Sequence, residues 1–198
     1  MAGQIAADAL AKSTLRKQII AARDALLPAV RRELSARITA QLLALDAYRN
    51  ARCVLAYMSF GSEFETATLI EDALAYGKAV CLPRVVQGTR ELALHRVTNL
   101  GDDLQSGTWG IREPRADRAR ADIGEIDFVL LPGVAFTPRC ERLGYGGGFY
   151  DRLITRMAQR PPLAAAAFAL QMRDGIPLDA NDQRVDIVVT EISCYRNC

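Results

Sequence analysis

Short runs at 53–58 (CVLAYM), 79–82 (AVCL), 127–131 (DFVLL) and 164–170 (AAAAFAL) are apolar almost throughout. A strand with one wet face alternates polar and apolar residues; these do not, so both of their faces need cover. That requirement points to a buried, mostly parallel or mixed sheet with helices on either side. The segments between supply helix patterns. Over 12–27, Leu15, Ile19, Ala22 and Leu26 share a face, with Lys12, Arg16, Lys17 and Arg23 largely off it. Over 30–45 the stripe is Val30, Leu34, Ile38, Leu42 and Leu45, and Pro28 separates the two helices. Thr68-x-x-Glu71 reads as a capping box for a helix that Gly77 stops. Pro83 should close the 79–82 strand. Residues 91–97 alternate like a half-exposed strand, and 99–125 form a long polar excursion. After a glycine-rich loop a helix runs to about 159, and 185–190 is the last strand. The expectation is an α/β three-layer sandwich with helices on both faces. It spans 1–198 as one domain, with the helical pair at about 12–45 packed on it.

Composition narrows the chemistry. Among 198 residues, 25 Lys+Arg against 23 Asp+Glu leave +2, too balanced for nucleic acid or an anionic membrane as main partner. The longest apolar run, 163–170, falls well short of the ~20 residues a membrane helix needs. No basic-then-apolar leader opens the chain. A cytoplasmic monomer is expected. The five cysteines (53, 81, 140, 194 and 198) include no CxxC, which argues against a disulfide framework. With His95 the single histidine, set mid-strand, a Cys/His zinc site is not expected. Any metal must then sit on oxygen ligands, which suits magnesium.

The strongest motif is Arg142-Leu-Gly-Tyr-Gly-Gly-Gly-Phe-Tyr-Asp151, between a strand and a helix. Glycines 144, 146, 147 and 148 let backbone N–H groups close on phosphate oxygens. Arg142 would add a phosphate fork and Asp151 a carboxylate for magnesium; the alternative is a flexible strand-to-helix turn. It is neither a Walker A loop nor GxGxxG. Lys12 and Arg16, four apart, share a helix face and could clamp a polyphosphate or simply face solvent. After the 53–58 run, Met58 and Phe60 offer apolar surface for a flat ring, and Glu63 an acceptor for ring N–H groups; the same residues also suit core and solvent. Asp182-x-x-x-Asp186 places Asp186 among apolar residues, where it needs a partner or a metal. Trp109, the single tryptophan, is a packed anchor or a stacking surface.

Together these stretches resemble the 5-formyltetrahydrofolate cyclo-ligase (methenyltetrahydrofolate synthetase) family. The matching pieces are KSTLR (12–16), YMSFGSEFET (57–66), KAVCLPRV (78–85), GTWGIREP (107–114), DFVLLPGVAF (127–136), RLGYGGGFYDR (142–152), AFALQ (167–171) and VDIVVTE (185–191). The resemblance implies ATP- and Mg²⁺-dependent closure of 5-formyltetrahydrofolate to 5,10-methenyltetrahydrofolate, releasing ADP and phosphate. It implies ATP contacts at Lys12, Ser13, Thr14, Leu15 and Arg16, and from Arg142 and Leu143 through Gly144, Tyr145, Gly146, Gly147, Gly148 and Phe149 to Tyr150. Folate contacts fall on Met58, Phe60, Glu63, Trp109, Tyr145 and Phe149, magnesium on Asp151 and Asp186, and the catalytic set on Arg142, Lys12 and Tyr145. Alternatives are a folate- and ATP-binding relative without turnover, or another enzyme on a related α/β scaffold. One stretch departs from the family: Phe-Asp-x-x-Gly-x-Arg-Leu-Gly becomes Phe136-Thr-Pro-Arg-Cys140-Glu-Arg142-Leu-Gly144. The turn loses a carboxylate at Thr137. If glycine served a positive φ, Cys140 carries about 1–2 kcal/mol of strain, unless Pro138 redirects the turn.

Overall fold

The computed structural model describes residues 2–197; Cys198 lies outside them. Helices α1 (Ala2–Asp24), α2 (Pro28–Leu43) and α3 (Asp46–Arg49) lead into β1 (Cys53–Leu55), α4 (Ala67–Ala75), β2 (Ala79–Val85) and β3 (Leu92–Val97). A hairpin of β4 (Leu104–Ser106) and β5 (Arg112–Pro114) precedes β6 (Phe128–Leu131). A second hairpin, β7 (Ala135–Phe136) and β8 (Arg142–Leu143), leads to α5 (Phe149–Thr155) and strands β9 (Leu163–Ala166), β10 (Ile187–Val189) and β11 (Cys194–Arg196).

Seven strands form one sheet in the order β11-β10-β9-β6-β1-β2-β3. The inner five run parallel, and β3 and β11 close the edges antiparallel. The absent alternation now has its cause. On one face Val54, Phe128 and Leu130 pack under Ile38 and Leu42 of α2 and Leu69 and Ile70 of α4. On the other, Leu55, Val129 and Leu131 pack under Leu153 and Ile154 of α5. Successive residues face opposite ways along a strand, so a sheet covered twice wants apolar residues at every position.

Several local expectations change. The first two helices do not share a surface: Ile19 of α1 packs on Val134, Ala135 and Leu143, whereas α2 covers the sheet. Pro28 is the first residue of α2 and starts it, as its fixed φ allows. Helix α4 begins at Ala67 with Thr66 as N-cap and no side-chain cap, so Thr68-x-x-Glu71 is no capping box. The Thr66 hydroxyl instead accepts from the Ser59 N–H at 3.0 Å. Strand β2 runs through Pro83, which pairs with Leu94 of β3. Its missing N–H falls on the β1 side, as Cys81 C=O meets Ala56 N–H and Val85 N–H meets Glu113 Oε1 there; β1 has already ended, so no ladder bond is lost. β3 is buried on both faces, Leu92 and Leu94 packing with one core cluster and Val97 with the other, and residues 119–121 pair along its outer edge (Arg96 N–H to Ala119 C=O, Ala121 N–H to Leu94 C=O). His95 is buried there, its Nδ1 2.8 Å from Arg118 C=O. α5 stops at Thr155, short of 159, and a further strand, β11, follows β10 at the sheet edge.

Candidate active site

Parallel strands leave their carboxyl-end loops free to gather around a ligand. Here the loop after β1, the end of β2 and the connection after β6 surround a cavity of about 1080 Å³. The β7–β8 hairpin turns the chain back and delivers Arg142, the glycines and the start of α5 to its wall. Gly146 has φ +98°, which side-chain-bearing residues rarely adopt, and a Cβ there would lie 3.3 Å from the Arg16 guanidinium. A Cβ on Gly147 would lie 2.6 Å from the Phe149 ring. The loop therefore lies closely between two side chains, and Arg16 fixes it by donating Nε–H to Gly144 C=O at 2.7 Å.

Three cations border this half. Arg142 is buried; Nη1 donates to Pro132 C=O at 3.2 Å and Nη2 to Asp151 Oδ1 at 2.5 Å, while the buried Nε has no partner among the described residues. Asp151 Oδ1 also accepts from Gln183 N–H at 3.1 Å, and its Oδ2 makes no hydrogen bond among the described residues. Lys12, also buried, donates to Asp179 Oδ2 at 2.8 Å and Asp182 Oδ2 at 2.5 Å. Burial works against the Lys12 charge, but these two carboxylates outweigh it and raise its pKa. Arg16, by contrast, is lowered by burial, with Asp182 opposing.

The other half is aromatic and holds one carboxylate. Glu63 is buried; Oε2 accepts from Phe60 N–H at 2.8 Å and Oε1 from the Tyr145 hydroxyl at 2.5 Å. Burial pushes its pKa up, against the pull of Tyr145, the Phe60 N–H and the charge of Arg23. Phe60 and Trp109 stay exposed beside it; the Trp109 ring stands edge-on to Phe149 at 6.0 Å, on a backbone with φ +59°.

The structure thus brings most of the sequence-selected residues to one cavity. Lys12, Arg16, Met58, Phe60, Glu63, Trp109, Arg142 and the run Gly144 to Asp151 line it. Ser13, Thr14, Leu15, Leu143 and Asp186 do not. Thr14 is exposed, and Leu15 and Leu143 pack between α1 and the hairpin. Asp186 lies outside the cavity wall that carries Asp151. Its Oδ1 accepts from Arg160 Nη1 at 2.6 Å and its Oδ2 from Leu163 N–H at 2.7 Å, so its charge fastens β10 to the start of β9. Among the described residues no three His, Cys, Asp or Glu side chains cluster to hold a metal. Among the lining residues, Asp179 was missed outright and Asp182 as a site residue, and so were Arg23 and Ser62, which are bonded to each other behind the wall. For Arg23 a signal existed, because Lys12, Arg16 and Arg23 at spacings of four and seven share a helix stripe.

A parallel sheet with a glycine cradle, cations and an aromatic-walled carboxylate gathered at its carboxyl edge defines an α/β enzyme for small molecules. Comparison with known proteins narrows that class. The family model of the 5-formyltetrahydrofolate cyclo-ligase family matches residues 8–191, and the chain belongs to that family. It is 30% identical to the mouse 5-formyltetrahydrofolate cyclo-ligase over 92% of this chain and 95% of that protein. It is 31% identical to the Mycolicibacterium smegmatis enzyme of the same name, over 90% and 93%. The Aquifex aeolicus 5,10-methenyltetrahydrofolate synthetase structure superposes with a TM-score of 0.82 at 33% identity, covering 94% of this chain and 92% of that one. No helix among the described residues is long and apolar enough to cross a membrane.

Proposed function

We propose that the chain closes 5-formyltetrahydrofolate to 5,10-methenyltetrahydrofolate at the expense of ATP. One observation carries the reading: a single cavity holds both the glycine cradle with its cations and the Glu63 acceptor. The formyl oxygen is a poor leaving group. Its attack on the γ-phosphorus releases ADP and leaves an O-phosphorylated, electrophilic carbon. N10 attacks that carbon and loses its proton, and phosphate departs with the former formyl oxygen. No protein nucleophile is needed; the chain's task is to position and to neutralise.

The Gly146–Gly148 backbone receives the phosphates, with Lys12, Arg16 and Arg142 balancing their charge. Arg142 suits this because its buried Nε still lacks an acceptor. Glu63 takes the pterin ring N–H groups, Tyr145 steadies Glu63, and Met58, Phe60, Trp109 and Phe149 enclose the ring system. Magnesium commonly binds through one or two carboxylates plus substrate phosphates, and the unpaired Oδ2 of Asp151 fits that need. When bound it supplies charge against the phosphates, and Asp151 is the residue that would hold it. We read the protein as cytoplasmic; its near-balanced charge supports small-molecule rather than nucleic-acid or membrane partners.

The test mixes purified protein with 5-formyltetrahydrofolate, ATP and Mg²⁺ and follows the near-ultraviolet absorption of the methenyl product. Growth that requires both ATP and Mg²⁺ is expected. A folded protein that binds the folate yet yields no product would instead be a binding relative.

A further inference from the structure

Arg23 lies in α1, is 3% exposed and does not line the cavity. Burying a guanidinium is costly unless its donors are met. Nε donates to Ser62 Oγ and Nη2 to the Tyr145 hydroxyl, both at 3.0 Å. No carboxylate pairs with it directly among the described residues; it reaches two through hydroxyls. Arginine can only donate, so each hydroxyl must accept from it and send its own proton onward. Tyr145 sends its proton to Glu63 Oε1, and Ser62 sends its proton to Asp24 Oδ1. The wiring therefore runs outward from Arg23 along two branches, one ending on Glu63 and the other on Asp24. Ser62 and Glu63 belong to the loop after β1, and Tyr145 to the glycine loop after β8. No strand joins the two loops, and Arg23 pins both.

We propose that Arg23 is a positioning residue for the folate half of the reaction, acting through Tyr145 to keep Glu63 ionised and turned towards the pterin N–H groups. This rests on the assignment of Glu63 to the pterin. The ionisable groups around Glu63 agree with it. Tyr57, Tyr145 and Tyr150 are phenols that burial keeps protonated, so Arg23 is the cation acting on the carboxylate.

The test compares Arg23→Gln, Arg23→Lys and Glu63→Gln with the parent protein. It reads KM for each substrate, kcat/KM against pH, and thermal unfolding. Glu63 works as the anion, so activity fades as pH falls through its pKa; removing the Arg23 charge moves that acid limb to higher pH. Arg23→Gln should raise the folate KM roughly tenfold, the worth of one charge-assisted hydrogen bond, and the ATP KM much less, because Arg16 also holds the glycine loop at Gly144. Arg23→Lys keeps the charge but has one compact head for two hydroxyls, so its folate KM should rise several-fold with the acid limb in place. An Arg23→Gln protein that melts earlier yet keeps the folate KM and acid limb overturns the proposal, as does an equal rise in both KM values. Should that variant not fold, Arg23→Lys decides, and an unchanged folate KM sinks the idea. If Glu63→Gln leaves folate affinity intact, it is the pterin assignment that fails.

Discussion

Cys140 has φ +59° and no exposed surface, two demands that pull against each other. It sits in a tight turn, with its N–H on Thr137 C=O at 2.9 Å and Thr137 N–H on Glu141 C=O at 3.1 Å. The left-handed conformation costs a side-chain-bearing residue about 1–2 kcal/mol. Cys140→Gly relieves this but gives up about 1 kcal/mol of buried thiol and a comparable amount of chain entropy. The terms nearly cancel, so urea unfolding should place Cys140→Gly within about 1 kcal/mol of the parent. Cys140→Val adds β-branching to the same φ in a filled site and should cost at least ~2 kcal/mol by the same measurement. The positive φ was legible in sequence, because the family pattern places glycine at 140. The fate of the missing carboxylate was not. Glu141 supplies one at the same turn, accepting from the Thr137 hydroxyl at 2.9 Å and from Arg139 and Arg184. Burial opposes its charge, but these partners outweigh burial and lower its pKa. Its contribution is therefore present above its unfolded pKa and lost as pH falls through the depressed folded value. Glu141→Gln should melt lower at neutral pH and show a flatter decline in acid, read by thermal unfolding across pH.

At the scale of elements, α1 departs most from its pattern. The apolar stripe at Leu15, Ile19, Ala22 and Leu26 promised an oily inner face. Ala22 is exposed and Leu15 half-buried, while Lys12 and Arg23 are buried with Ile19. Apolar periodicity misleads here because α1 lies on loops that present carbonyls, hydroxyls and carboxylates rather than on the sheet. α2, which does cover the sheet, kept Ile38 and Leu42 of its expected face buried. The glycine loop was legible because glycine is needed there for conformation and clearance; the short hairpin strands β7 and β8 beside it left too little pattern to read. Gly146→Ala would place a methyl against Arg16 at φ +98°. The strain of about 1–2 kcal/mol should appear as lost stability in urea unfolding, with the fold retained by circular dichroism.

At the scale of the molecule, the sheet followed from its apolar runs because double cover leaves no other pattern. Its edges did not, because the outer edge of β3 is paired by the distant residues 119–121, which no local pattern announces. β9, between β6 and β10, is leucine followed by three alanines, all buried. Small side chains there match a close-packed centre, so Ala165→Leu should destabilise by about 1–3 kcal/mol in urea unfolding. Asp151 and Asp186 show why the site was read only in part: sequence marks the carboxylates but cannot say that Arg142 and Arg160 come to lie beside them.

Under the proposed function, the carboxylates on Lys12 and Arg142 bear on how ATP would enter. Asp179, Asp182 and Asp151 already hold the two cations, as phosphate oxygens would. Entry is then an exchange of anions rather than an addition to bare charge. Few solution counter-ions are released, and ATP affinity should change little with ionic strength, less than three cations at the cavity suggest. The relevant competitor is tethered to the chain, at a local concentration that no buffer salt alters.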